Sequence, residues 1–157
     1  MKSAAILLII FFAISCGSKK SEEGQTETGA AGITEIELTG NDQMQFNLKV
    51  IETNAGNKVK LTLKHIGQMA KELMGHNFIL LKKDADMAAF ATAAISAKTS
   101  EYIPAAHKNQ IIAFTKLIGG GESTTIEFDA PSEPGTYKFL CSFPGHYMLM
   151  NGDFIVK

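Results

Sequence analysis

The sequence predicts an all-β domain, an antiparallel β-sandwich with Greek-key connections and one helical insertion. Three observations carry that expectation. From Ile33 onward, apolar and polar residues alternate in short runs, the period of a half-buried strand. Clusters rich in Gly, Asn and Asp, such as Thr39-Gly40-Asn41-Asp42 and Asn54-Ala55-Gly56-Asn57, separate the runs. One stretch, Asp84 to Ile95, carries its apolar residues at helical spacing instead. Short strands in series, interrupted once, pack as two facing layers.

Taken in order, the chain begins with segments that precede this domain. Met1-Lys2 is a charged start, and Ala4 to Ile14 is unbroken apolar sequence. Its length, roughly 11 residues, suits an export signal and falls short of the ~20 that a spanning helix needs. It ends in Ala13-Ile14-Ser15-Cys16-Gly17, which resembles a bacterial lipobox with Ala13 in place of the more usual Leu. That resemblance implies a lipoprotein signal peptide over residues 1–15, cleavage before Cys16, and acylation of Cys16. Several acyl chains anchor stably where one would not. The alternative is an ordinary secretory signal with an incidental Cys. The expected location is therefore outside the cytoplasm, lipid-anchored to a bacterial membrane and facing the periplasm. Gly17 rather than Asp after the Cys favours the outer membrane. Residues 16–32 hold no large apolar side chain and read as a flexible tether, spanning roughly 20–25 Å on average.

The domain proper spans residues 33–157. Ile36 and Leu38 alternate with Glu35 and Glu37; Met44, Phe46, Leu48 and Val50 form a second run; Val59, Leu61, Leu63 and His65 form a third. Asn77 to Leu81 is a continuous apolar strand. A helix follows, capped by Asp84, with Met87, Phe90, Ala91, Ala94 and Ile95 on its apolar side, and Pro104 closes that excursion. Gln110–Lys116, Ser123–Phe128, Thr136–Cys141 and Asp153–Val156 read as four further strands. There is no internal repeat and no second domain.

Composition narrows the function. The 157 residues carry a formal net charge of −1, so no strong field selects an acidic or basic partner. Every basic residue is Lys. Without Arg the chain lacks the side chain most used for bidentate phosphate and base-edge contacts, so nucleic acid is not an expected ligand. Of the two cysteines, Cys16 belongs to the export segment and Cys141 lies among potential metal ligands; a Cys16–Cys141 disulfide is the plainer alternative.

The stretch Cys141-Ser142-Phe143-Pro144-Gly145-His146-Tyr147-Met148-Leu149-Met150 places a thiol, an imidazole and a thioether at C-x4-H-x3-M spacing. His76, in Met74-Gly75-His76-Asn77, supplies a second imidazole from far upstream. A thiolate, two imidazoles and a distant thioether are the ligand set of a blue-copper centre. That set is a compromise between copper(II), which favours tetragonal geometry, and copper(I), which favours soft ligands and fewer of them. Cys141 would give the thiolate, His76 and His146 the rest of the trigonal plane, and Met150 the axial thioether. One type 1 copper per chain is expected, used for single-electron transfer; zinc could occupy the same donors.

These residues resemble the azurins, within the cupredoxins. Gly40-Asn41-Asp42-Gln43-Met44-Gln45-Phe46, Met74-Gly75-His76-Asn77, Thr115-Lys116-Leu117-Ile118-Gly119 and Cys141-Ser142-Phe143-Pro144-Gly145-His146 carry the likeness, which extends from Ile33 to Lys157. It implies an eight-stranded Greek-key cupredoxin β-sandwich or barrel with a helical flap. It also implies that the Gly75 carbonyl is a weak second axial ligand opposite Met150. Asn77 is then expected to hydrogen-bond the ligand loop, and the Phe143 N–H to donate to the Cys141 sulfur. The chain departs from the family at Thr34 and Gly56, where azurins usually carry a disulfide, and at Phe78, where many have tryptophan.

The remaining candidates are weighed more simply. His107 sits in a polar loop. His65 falls on an apolar face, near the metal by the same resemblance, and reads as a core histidine with some pH sensitivity. Met69, Leu73, Met74, Phe143 and Met148 would surround an exposed edge of His146 as a small apolar docking face. The partners expected of such a carrier are redox proteins, for example c-type cytochromes or respiratory complexes, together with the membrane through Cys16. A copper storage or delivery protein is the alternative function. An enzyme using Cys141 and His146 as nucleophile and base is not expected, because no oxyanion site or orienting acid accompanies them at recognisable spacing.

Overall fold

The computed structural model describes residues 27–28 and 32–157; the expected signal peptide, Cys16 and most of the tether lie outside the described residues. Strands β1 (Glu27–Thr28), β2 (Ile33–Gly40), β4 (Lys58–His65) and β7 (Ser123–Asp129) form one sheet, in the order β1-β2-β4-β7. Strands β3 (Val50–Thr53), β9 (Asn151–Val156), β8 (Gly135–Leu140), β5 (Ile79–Leu81) and β6 (Ile111–Phe114) form the other, in that order. Leaving aside the two-residue β1, which pairs antiparallel with Thr34–Glu35, eight strands remain. Both sheets are open, so the fold is a sandwich and not a closed barrel.

The sandwich is not purely antiparallel. β2 runs parallel to β4, and β3 runs parallel to β9. The cause is the path of the chain: β2 and β4 share a sheet while β3, between them in sequence, crosses to the other one. Two strands separated by such a crossover point the same way.

Alternation places the inner faces as expected. In β4 the buried residues are Val59, Leu61, Leu63 and His65, and β2 contributes Ile36 and Leu38. They meet Leu80, Phe139 and Phe154 of the opposite sheet, with Phe78 and Phe139 rings 5.6 Å apart. Phe78, standing where many azurins carry tryptophan, is fully buried. Burying each such side chain contributes roughly 1.5–3 kcal/mol, which makes this core the main source of stability. The outer face of the first sheet carries the ion pairs Lys58–Asp129, Lys60–Glu35 and Lys64–Glu37. Exposed pairs of this kind contribute little.

Several boundaries differ from the sequence reading. The run from Met44 to Val50 is not a strand. Only the bridge between Gly40 and Phe46 forms there, Met44 has φ 56°, and Val50 is exposed while Ile51 is buried. The chain bends before β3 so that the Lys49 carbonyl can accept from the Asp153 N–H, and the bend reverses which residues face inward. Helix α1 (Lys71–Met74) is a single turn that periodicity cannot reveal. Helix α2 (Met87–Ala94) is capped by Asp86, whose side chain accepts from the Ala88 and Ala89 N–H groups, and not by Asp84. Phe90, Ala91 and Ala94 are buried under it, whereas Ile95 is exposed. Pro104 does not end the excursion; it opens a 3-10 helix over Ala105–Gln110, and β6 starts at Ile111.

At Thr34 and Gly56, where azurins usually carry a disulfide, this chain has none, and the side chains of Thr34 and Thr53 meet instead. Their hydroxyl oxygens are 2.7 Å apart and both residues are buried. This bond ties β2 of one sheet to β3 of the other. It contributes about 1 kcal/mol where a disulfide would contribute about 2–4.

Candidate metal centre

Strand register brings one set of strand ends to the same pole. Gly40, the last residue of β2, pairs with His65, the last of β4; Leu140, the last of β8, pairs with both Asn151 and Ile79. His76 precedes β5 and is bridged to Ile118, its N–H donating to the Ile118 carbonyl and its carbonyl accepting from the Ile118 N–H. Cys141 follows β8 directly. Gly145, at φ 83°, takes the left-handed turn that a side chain would oppose, and starts a 3-10 turn over His146–Met148. Met150 closes it: its N–H donates to the His146 carbonyl, and its own carbonyl accepts from the Cys141 N–H.

The result is a compact group. One ligating atom each of His76, Cys141 and His146 lies within 4.8 Å of the others, and all three residues are buried. His146 Nδ1 is 3.6 Å from Cys141 Sγ, and the Gly75 carbonyl oxygen is 3.8 Å from the same sulfur. Met150 is completely buried at this pole.

The protonation pattern follows from the partners. His76 Nε2 lies 2.9 Å from the Asn41 carbonyl, which can only accept, so Nε2 carries the proton. Nδ1 is then a bare lone pair, and it is the one buried side-chain nitrogen or oxygen among the described residues with no hydrogen-bond partner. Buried polar atoms are rarely left so, and an unpaired one calls for an explanation. His65 is different. Its Nδ1 accepts from the Gly67 N–H at 3.1 Å and its Nε2 donates to the Met74 carbonyl at 2.8 Å. Both nitrogens are satisfied, so His65 is a core residue, stacked on the His76 ring at 4.2 Å.

Burial lowers the pKa of His76 and pulls that of His146 down to about 4, so both imidazoles are neutral donors at physiological pH. Burial also pushes the Cys141 thiol up to about 11, against the opposing effect of the Asn77 and Phe143 backbone N–H groups. A buried thiol of this kind ionises when a cation supplies the compensating charge. Two neutral imidazoles, one of them with an orphaned lone pair, beside a thiol and a thioether fit a soft or borderline metal. The donor set suits copper.

Asn77 ties the halves of the cradle together. Its Oδ1 accepts from the Ser142 N–H at 2.8 Å, and its Nδ2 donates to Ser142 Oγ at 2.9 Å and to the Glu101 carbonyl at 3.3 Å. Of the expected docking residues, Leu73 and Met148 are about two-thirds exposed at 66% and 67%, Met69 is exposed, and Met74 is half-buried. Phe143 is buried, and the expected open edge of His146 is narrow, since only 3% of that residue is accessible. Packing against Phe143, with ring centres 4.6 Å apart, covers it.

Three contributors escaped the sequence reading. The Asn41 carbonyl fixes the His76 tautomer. Gly40 abuts the site: a methyl group there would lie 2.6 Å from His76 Cδ2 and 3.2 Å from Met150 Cε. A glycine closing an alternating strand is the available sign of such close approach. Lys49 donates to the carbonyls of Leu149 and Asn151, on either side of Met150.

Comparison with known proteins agrees with this chemistry. Residues 33–157 match the family model for copper binding proteins of the plastocyanin/azurin family. The chain is 42% identical to Azurin-2 of Alcaligenes xylosoxydans over 121 residues, 75% of this chain and 93% of that protein. It is 41% identical to outer membrane protein H.8 of Neisseria meningitidis over 124 residues, 78% of this chain and 67% of that one. Among solved structures, auracyanin A, a "blue" copper protein from Chloroflexus aurantiacus, superposes with a TM-score of 0.71 at 34% identity, covering 80% of this chain and all of that one.

Proposed function

Since the chain belongs to the plastocyanin/azurin family of copper-binding proteins, with copper as its cofactor, we propose that it is a membrane-tethered carrier of single electrons between redox proteins. The residues that would hold the metal are His76, Cys141, His146 and Met150, with the Gly75 carbonyl beside the Cys141 sulfur. The observation that carries the assignment is the orphaned His76 Nδ1 facing the Cys141 and His146 donors in a buried pole. Copper held there would supply a one-electron couple between a reduced donor protein and an oxidised acceptor.

The chain's own residues do the rest. Asn41 holds the His76 ring in the tautomer that presents Nδ1. Asn77 holds the Cys141 loop against the His76 segment, and the Phe143 N–H favours the ionised Cys141 sulfur. A cradle fixed from both sides needs little rearrangement when charge changes, which keeps the barrier to transfer low. Burial under Phe143 and Met150 excludes water.

Docking is assigned to the exposed apolar side chains Met69, Leu73 and Met148 together with the half-buried Met74. An apolar surface suits brief encounters of small area with partners such as c-type cytochromes or respiratory complexes. Met74→Lys should slow electron exchange with such a partner by about tenfold through desolvation of the added charge, with no change in visible absorption. Equal exchange rates in the two proteins would remove this face from the docking assignment.

The anchor is the acylated Cys16, and the likeness to an outer membrane protein supports placing the domain at that membrane, facing the periplasm. Among the described residues no helix is long and apolar enough to cross a membrane. The mass of the mature N-terminus tests the anchor: an unmodified cysteine there would refute it.

The decisive experiment is addition of copper(II) followed by absorption spectroscopy and voltammetry. Intense charge transfer near ~600 nm and a reversible one-electron wave are expected, and Cys141→Ser should abolish the colour. A colourless loaded protein overturns the electron-transfer reading. Rapid loss of the metal to a chelator would favour storage or delivery.

A further inference from the structure

We infer that Glu101 and Tyr102, in the loop following α2, are positioning residues that clamp the two halves of the metal cradle together. The inference rests on the copper assignment above and goes beyond the ligands and Asn77. Only three non-glycine residues among those described have positive φ, and two of them are adjacent: Glu101 at 54° and Tyr102 at 63°. A bulky residue in the left-handed region is disfavoured, and such strain persists only where its surroundings over-determine it. Here the surroundings are the metal cradle.

Glu101 grips the His76 half. Its carbonyl accepts from Asn77 Nδ2 at 3.3 Å, and its carboxylate accepts from the Leu117 N–H at 3.0 Å. Leu117 adjoins Ile118, whose backbone is bonded in both directions to His76. Tyr102 grips the other half. Its ring meets Phe143 edge-on with centres 5.1 Å apart, and the far side of the contact is Phe143 against His146 at 4.6 Å. Tyr102 is 93% withdrawn from solvent, at 7% exposed, and its N–H donates to the Ala97 carbonyl at 2.9 Å. Ser100 Oγ locks the same corner by bonding the Ala97 and Ile103 carbonyls.

The left-handed pair is what lets one short segment reach both halves. It turns the backbone so that Glu101 faces Asn77 and Leu117 while the next side chain faces Phe143. Phe143 is then confined between Tyr102 and His146. Because Phe143 packs on His146 and lies two residues from Cys141, freedom gained by its ring disturbs the surroundings of both donors, and with them the relative stability of the two oxidation states.

The test compares Tyr102→Leu, Tyr102→Phe and Val59→Ala. Val59 is fully buried in β4, far along the strand from the pole, and serves as a stability control. Tyr102→Leu should weaken copper binding about tenfold and move the ~600 nm band. A tenfold change in the preference between oxidation states is a shift of about 59 mV in midpoint potential. Tyr102→Phe keeps the ring and should restore both properties. Val59→Ala should lower the melting temperature and leave band and potential alone. Amide exchange gives a reading independent of the metal. In Tyr102→Leu, the Ser142 and Phe143 amides should exchange about tenfold faster relative to the Leu61 amide. If band, potential and relative exchange in Tyr102→Leu match the wild type, or Val59→Ala moves them equally, the clamp is refuted. A colourless wild type would instead refute the copper assignment, and the exchange ratio would still decide the clamp.

Discussion

At the scale of single residues, the centre is defined as much by atoms that are not ligands as by those that are. His76 presents Nδ1 because a backbone carbonyl occupies Nε2, and it lies where it does because Gly40 lacks a side chain. Gly40→Ala is the sharpest local test. The added methyl must displace His76 or Met150, at a cost of about 1–3 kcal/mol typical of overpacking. The expected result is a protein with a lower urea midpoint and a shifted copper–thiolate band. A variant with the parental spectrum would show that the pole yields elsewhere. The four side-chain ligands proposed here were legible from chemistry alone, since thiol, imidazole and thioether at C-x4-H-x3-M spacing have few other joint uses. Gly40 and Asn41 were not, because a missing methyl and a carbonyl oxygen carry no chemical label.

At the scale of elements, the outcome was mixed for identifiable reasons. Alternation located β2, β4, β7, β8 and β9 to within a residue or two, as each has one face on the core. It failed between Met44 and Val50, where apolar residues alternate but the chain bends, and backbone pairing to β9 decided which residues turn inward. Capping illustrates a second limit. The sequence reading places the cap at Asp84, and only the start of α2 at Met87 selects Asp86. Asp86→Ala should therefore lower stability by about 1 kcal/mol, within a range of roughly 0.5–2, whereas Asp84→Ala should change it by less than about 0.5. Equal losses in chemical denaturation would mean that the helix begins earlier than described. Short turns such as α1 offer too few residues for any period to register.

At the scale of the whole molecule, two sheets are joined by a buried core and, at one point, by the hydroxyl pair of Thr34 and Thr53. Thr34→Val alone leaves the buried Thr53 hydroxyl without its partner, which should cost about 1–3 kcal/mol. Thr34→Val with Thr53→Val removes both polar groups and should recover most of that loss. Strictly additive losses in urea unfolding would show that the hydroxyls do not act as a pair. Two facing layers are expected from the pattern of short strands, but which strands share a sheet and which pair in parallel cannot be read from periodicity, which reports faces and not neighbours.

The pairing of β3 with β9 joins residues from opposite ends of the domain, and it sets the order in which the molecule can assemble. Non-local pairing of this type is slow, with all-β domains reaching the native state in roughly milliseconds to seconds. Met150 and Asn151 stand at the entrance to β9, so the donors cannot be aligned until the final strand is seated. A nascent chain would therefore hold its thiol and imidazoles apart through most of its folding, and competence to take up metal arrives as one of the last events.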